Sequence, residues 1–201
     1  MTKQSRLLFS IPYFIWLLLF VVTPLGMIFY KSFFDINGQV TLGNYTNYFA
    51  SGNYLEMTFN SVWYAFLVTL VTLLVSYPTA LFLSRTKHKQ LWLLLIILPT
   101  WVNLLLKAYA FIGIFSQTGT VNNFLSLFGL APQEFLFTDF SFLTVAAYIE
   151  LPFMILPIFN SIEELPGSLI AASRDLGATK WDTFRRVIFP LTMNGVRSGV
   201  Q

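Results

Sequence analysis

The stretch EELPGSLIAASRDLGATKWDTFRR, residues 163–186, separates two apolar runs and holds most of the local structural signals in the chain. Pro166-Gly167 ends whatever helix precedes it. Ser168 is placed to cap a new helix, and Leu169 to Leu176 allow about two turns before Gly177 offers a left-handed C-terminal residue. Thr179 and Asp182 then have the spacing of a capping box, ahead of Trp181, Phe184 and Val187. The expected product is a short helix, a tight glycine turn and a second helix that runs into apolar sequence. A DNA-binding helix-turn-helix has the same outline, but its recognition helix needs a small globular core to hold it. Here the segment is tied at both ends to apolar runs, and its basic residues alternate with Glu163, Glu164, Asp175 and Asp182. A tethered helix of mixed charge suits docking on a protein, and no nucleic-acid partner is expected.

Outward from this elbow the chain is mostly apolar. Of its 201 residues 56% are hydrophobic and only 10% charged, whereas soluble domains carry about 25% charged residues. The mean hydropathy is +0.67. The 22 Phe, 9 Tyr and 5 Trp exceed what one soluble core needs, but they suit helices that meet lipid on most sides. Crossing a bilayer takes about 20 apolar residues. Four stretches qualify: Leu7 to Tyr30, about Asn60 to Leu83, Leu91 to Phe115, and about Phe140 to Ile162. A fifth begins near Val187 and stops with the chain at Gln201, so the bundle is expected to be incomplete at its C-terminal end. The first run is too long for a signal peptide and lacks an Ala-x-Ala exit, so it reads as a retained anchor.

Lys and Arg set the orientation. They collect at Lys3 and Arg6, at Arg85, Lys87 and Lys89, and at Arg174, Lys180, Arg185 and Arg186. The loop from Lys31 to Phe59 has only Lys31, and the loop from Ser116 to Asp139 has none. The N-terminus and the elbow are therefore expected in the cytoplasm of a cell membrane, with the two long loops outside. Those loops, with Asp35, Glu56, Glu134 and Asp139, read either as surfaces for an extracytoplasmic partner or as solvated connectors. The domains follow: 1–59 as anchor helix and external loop, 60–201 as transmembrane domain with the elbow at 163–186.

Catalytic chemistry finds little support. There is no Cys, His88 is the only histidine and sits in a charged loop, and no nucleophile-base spacing or metal-ligand cluster occurs. No Gly-x-x-x-x-Gly-Lys-Ser/Thr loop is present, so the chain is expected to bind neither ATP nor any other cofactor or metal.

The run Ala171-Ala172-Ser173-Arg174-Asp175-Leu176-Gly177-Ala178, with nine residues between Gly177 and Val187-Ile188-Phe189-Pro190, resembles the signature of binding-protein-dependent ABC importer permeases. That signature reads Glu-Ala-Ala, three residues, Gly, nine residues, Ile-x-Leu-Pro. The match is good at Ala172, Gly177 and Pro190; the chain departs from it with Ala171 in place of Glu and Ser173 in place of Ala. Tyr77-Pro78-Thr79-Ala80, Leu98-Pro99-Thr100-Trp101-Val102-Asn103, Lys107-Ala108-Tyr109-Ala110, Gly119-Thr120-Val121-Asn122-Asn123, Leu151-Pro152-Phe153-Met154 and Pro190-Leu191-Thr192-Met193 are similar to the spermidine and putrescine branch. The resemblance implies an all-α transmembrane fold, a multi-span bundle of the type I ABC importer permease kind. It implies that the elbow, through Ala171 to Gly177 and Pro190, couples to cytoplasmic ATPase subunits, which bind the ATP. A second permease subunit and an extracytoplasmic solute-binding protein complete the set of partners, and a polyamine is the implied cargo. Another small solute, such as ferric ion, thiamine or an anion, remains the alternative, as does a membrane scaffold without transport.

Two ionisable residues lie within the spans, where a charge costs about 2.5–3.5 kcal/mol on insertion scales. These are Lys107 and Glu150. A polyamine combines several positive charges with an alkyl chain, so a carboxylate beside aromatic faces is the matching chemistry. Glu150, with Tyr148 and Phe153, is the candidate for a path-lining group; a Lys107–Glu150 ion pair is the structural alternative.

Overall fold

The computed structural model describes the backbone of residues 3–201 and the side chains from Ser10 onward, so the side chains of Lys3 and Arg6, used above for orientation, lie outside the described residues. The helices are α1 (Lys3–Leu17), α2 (Thr23–Lys31), α3 (Gly43–Ala50), α4 (Gly52–Ser84), α5 (Lys89–Ile97), α6 (Leu104–Phe115), α7 (Thr120–Ser126), α8 (Asp139–Glu163), α9 (Gly167–Asp175), α10 (Lys180–Thr183), α11 (Phe189–Leu191) and α12 (Met193–Val200). Among the described residues there is no β-strand, only an isolated bridge between Phe34 and Val40. Four helical stretches are long and apolar enough to cross a membrane: Ser10–Lys31, Gly52–Ser84, Leu104–Ser126 and Asp139–Glu163.

The chain forms two compact units, residues 1–62 and 63–201. In the first, α1 and α2 are joined by a π-helical turn at Leu18–Val22. Pro24, one residue beyond it, has no N–H to give, and the Thr23 hydroxyl donates to the Leu18 carbonyl at 2.8 Å. None of this span is buried within the chain. The loop after it is an ordered cap, not a loose connector. Asp35 accepts from the backbone N–H groups of Asn37 and Gln39, and the Asn44 amide donates to the carbonyls of Ser32 and Phe34 at 2.9 Å. Phe33 packs against Tyr45.

In the second unit the core lies where α4, α8 and α12 meet, built from Tyr77, Ala80, Leu83, Met154, Ile155, Ile158, Phe159 and Val196. The α4 side of it is a four-residue rhythm of small side chains, Thr72, Ser76 and Ala80, all fully buried. Small residues let backbones approach closely, which in lipid replaces the hydrophobic drive available in water. The return helix uses the same device. Gly195 and Gly199, four apart on α12, face α8, where a Cβ on Gly195 would lie 2.6 Å from the Pro157 carbonyl oxygen and 2.6 Å from the Ser161 Cβ.

Two expectations need correction. The third apolar run, read as one span from Leu91 to Phe115, is not a continuous helix. It is α5, a 3₁₀ turn at Leu98–Trp101, an extended pair at Val102 (ψ 134°) and Asn103 (ψ 139°), and then α6. Pro99 and the extended pair end the first piece, and the Asn103 side chain starts the second by accepting from the Leu105 N–H at 2.8 Å. The second run begins at Gly52, well before the expected Asn60, because the helix extends beyond its apolar part.

The packing predicts a graded response to small substitutions. Gly195→Ala puts a methyl against backbone, and we expect a loss of about 1–3 kcal/mol. At Gly199 the nearest atom is the flexible Met154 Sδ, 2.7 Å away, so Gly199→Ala costs less. At Gly26 the space is open, and Gly26→Ala is neutral or stabilising. Thermal unfolding of the three purified variants checks the order; an unchanged melting point for Gly195→Ala contradicts the packing.

Candidate functional site

The elbow is assembled from two helix-ending devices placed back to back. Gly177 has φ +79°, a conformation that costs a side-chain-bearing residue roughly 1–2 kcal/mol. There the Gly177 N–H donates to the Arg174 carbonyl at 2.8 Å and the Ala178 N–H to the Ser173 carbonyl at 3.1 Å, the paired bonds of a Schellman motif. The next helix then starts on a complete capping box. The Thr179 hydroxyl accepts from the Asp182 N–H at 3.1 Å, and the Asp182 carboxylate accepts from the Thr179 N–H at 3.3 Å. Hydrogen bonds from the Thr179 hydroxyl and then its backbone hold the Asp182 carboxyl below its ordinary 3.8, with a smaller contribution from Arg186 and Arg185. A depressed acid stabilises the fold above its unfolded pKa, so the box is intact at neutral pH and is lost only as pH falls through the lower folded value.

The start of the elbow differs from the expectation. Ser168 is not the cap: α9 begins at Gly167 with Pro166 in the capping position and no side-chain cap, since proline's fixed φ and missing N–H already suit that end. Of the candidate coupling residues, Ala171, Ala172, Arg174, Asp175 and Leu176 are exposed, and Leu176 is 89% accessible. Ser173, one of the two departures from the signature, turns inward. Its hydroxyl lies 3.0 Å from that of buried Thr183 and joins α9 to α10.

Beyond α10 the chain passes a second π-helical turn, Phe184–Ile188, again just ahead of a proline, Pro190, and bends at Thr192 into α12. At that bend the Thr192 hydroxyl, completely buried, sits 2.6 Å from the Tyr77 hydroxyl of α4. The Tyr77 ring packs against Phe184 and Phe189. On the near side of the elbow, Lys89 at the start of α5 pairs with Glu163 at the end of α8.

Within the spans the structure divides the candidate path residues. Lys107, in the first turns of α6, borders a cavity of about 210 Å³ together with Pro99, Thr100, Tyr148 and Pro152, beside the break in the third span. The Tyr148 ring packs edge-on against Phe111. Glu150 is about 200° around α8 from Tyr148 and, like Phe153 one turn on, is exposed. No Lys107–Glu150 salt bridge exists among the described residues, because the two charges sit on different faces. One site that sequence reasoning missed lies near the start of α8. Tyr64, Phe111, Phe115, Phe137, Asp139 and Phe142 border a cavity of about 670 Å³, in which the Tyr64 hydroxyl donates to Asp139 at 2.6 Å. The spacing of Phe111 and Phe115 and the run Phe135, Phe137, Phe140, Phe142 were its only signals.

No protein-family model matches this chain. It is 39% identical over 194 residues to the spermidine/putrescine transport system permease protein PotB of Escherichia coli (strain K12), an overlap of 92% of this chain and 70% of that protein. The protein of the same name from Haemophilus influenzae is 36% identical over 196 residues, 92% of this chain and 68% of the relative. Among solved structures, a chain of a bacterial alginate ABC transporter, in complex with an alginate pentasaccharide-bound periplasmic protein, superposes with a TM-score of 0.77 over 95% of this chain and 68% of its own length, at 20% identity. That likeness speaks for the fold alone. The sequence likeness goes further, and on its strength the chain belongs to the family of spermidine/putrescine transport system permease proteins, multi-pass membrane subunits of ABC transporters that do not themselves catalyse a reaction.

Proposed function

We propose that this chain is the polyamine-conducting permease subunit of an ATP-driven importer, and that α9 is the lever through which a separate ATPase moves it. The reading is carried by the elbow: a short exposed helix locked at its C-terminus by Gly177, closed onto α10 through Ser173 and Thr183, and continuous through α8 and α12 with the spans. A body so constrained transmits a push at its surface as a rigid displacement of the helices behind it. The exposed side chains of Ala171, Ala172, Arg174, Asp175 and Leu176 supply the docking face, with Gly177 and Pro190 holding its geometry. ATP belongs to the partner chain, the elbow and the N-terminus face the cytoplasm, and the loops at 31–59 and 116–139 face a solute-binding protein. A second permease subunit covers the apolar faces that this chain leaves open.

For the cargo, the support is the relatives' printed substrate together with carboxylates set among aromatic rings. Glu150 stands with Phe153 on an exposed face of α8, and Asp139 lies in the aromatic cavity. Each pairs a negative charge with apolar π faces, the chemistry that an alkyl chain bearing ammonium groups requires.

Three experiments test the reading. Cysteine placed at Arg174 or Asp175 should crosslink to the co-expressed ATPase, and Gly177→Val should abolish uptake while the protein still reaches the membrane; no crosslink from either position contradicts the lever. Glu150→Gln at matched expression should lower spermidine or putrescine uptake by about tenfold, the equivalent of 1.4 kcal/mol. Uptake equal to wild type removes Glu150 from the path.

A further inference from the structure

We infer that the pocket behind the elbow is a binding site for a phosphate-bearing anion, and that its occupant is the headgroup of an anionic phospholipid. The pocket, about 450 Å³, lies between the ends of α4 and α8 on one side and α9 and α10 on the other. Three cations line it: Arg85 just past α4, Arg174 on α9 and Lys180 at the start of α10. The only acid in the lining is Glu163, already paired with Lys89. The remaining salt bridge among the described residues, Asp182 with Arg186, involves none of the three. Three like charges at one cavity, beside a single carboxylate already taken by Lys89, repel one another, and a multivalent oxyanion relieves that repulsion while accepting their hydrogen bonds.

The rest of the lining identifies the source of the anion. Leu81 comes from the last turn of α4, Ile162 from the last turn of α8, and Ile188 from the arm that runs back toward the core. The cations belong to the segments beyond those helix ends. Leu165 and Ile170 add two apolar residues from beyond the helix ends, so the cavity presents apolar and cationic side chains together, the mixed chemistry of a phospholipid at the edge of the bilayer. Basic pockets between transmembrane helices hold anionic headgroups by the same arrangement. A lipid phosphate there bridges α9 to the end of α4, two segments that no side-chain hydrogen bond or salt bridge joins among the described residues. The inference is independent of which solute is carried and needs only that α4 and α8 end at a membrane surface.

The test uses the assembled transporter, purified and reconstituted in nanodiscs of phosphatidylcholine containing a minor fraction of phosphatidylglycerol, with retained lipid counted by native mass spectrometry. Wild type should retain phosphatidylglycerol in preference to phosphatidylcholine. The Arg85→Gln/Lys180→Gln double variant should lose that retention by about tenfold or more, given the usual contribution of each basic residue at a lipid surface. The charge-conserving Arg85→Lys/Lys180→Arg variant and the loop variant Lys87→Gln should behave as wild type, which separates loss of the site from loss of the fold. In a parallel arm inorganic phosphate is titrated into discs of phosphatidylcholine alone. Phosphate binding that depends on Arg85 and Lys180, without phosphatidylglycerol retention, keeps the anion site but replaces the lipid with a soluble source. Equal retention by wild type and the double variant overturns the site altogether. So does a double variant that keeps its lipid and loses the ATPase, because the cations then serve a protein contact.

Discussion

A backbone in hydrocarbon has no water to turn to, so every place where this chain leaves the regular helix needs a local replacement for the lost hydrogen bond. Most of the architecture follows from how that requirement is met. The π-helical turn before Pro24 has Thr23 beside it, the break in the third run has Asn103, and the bend into α12 has Thr192, whose hydroxyl also donates to the Ile188 carbonyl at 2.9 Å. Each repair comes from a short side chain within a turn of the irregularity. The irregularities therefore hold definite shapes, and the spans can be bent or broken without becoming loose.

The same economy governs packing. Leu and Phe gain little from meeting each other when lipid is equally apolar, so α12 seats itself on α8 through absent side chains at Gly195 and Gly199, and α4 completes the core with Thr72, Ser76 and Ala80. The Ser76 hydroxyl is buried without a partner, one polar atom set among close-packed helices. The large aromatic residues, by contrast, mostly remain exposed on the outside of the chain.

Much of this was legible from residue order. Apolar runs of bilayer length, the glycine turn at Gly177 and the box at Thr179 and Asp182 are local properties, and local properties survive folding. Less legible was anything depending on what lies opposite. Hydropathy counts Leu91 to Phe115 as one run because Pro99 and Asn103 barely dilute it, although together they end one helix and begin another. Ser173 read as a flaw in a motif, whereas its hydroxyl has a partner ten residues away in Thr183. Tyr148, Glu150 and Phe153 are neighbours in sequence, yet helical rotation sends Tyr148 toward Lys107 and the other two away from it. Gly195 and Gly199 carry no sequence signal of their own, because only the packing of α12 on α8 gives their spacing a meaning.

The contact between Tyr77 and Thr192 has a mechanical meaning. It fastens the bend ahead of α12 to α4 about two turns before that helix ends, at a residue whose own N–H still donates to the Ile188 carbonyl at 3.0 Å. A bend held by a buried contact keeps its angle, so a displacement of the elbow would be carried into α12 instead of being absorbed by flexing at Thr192.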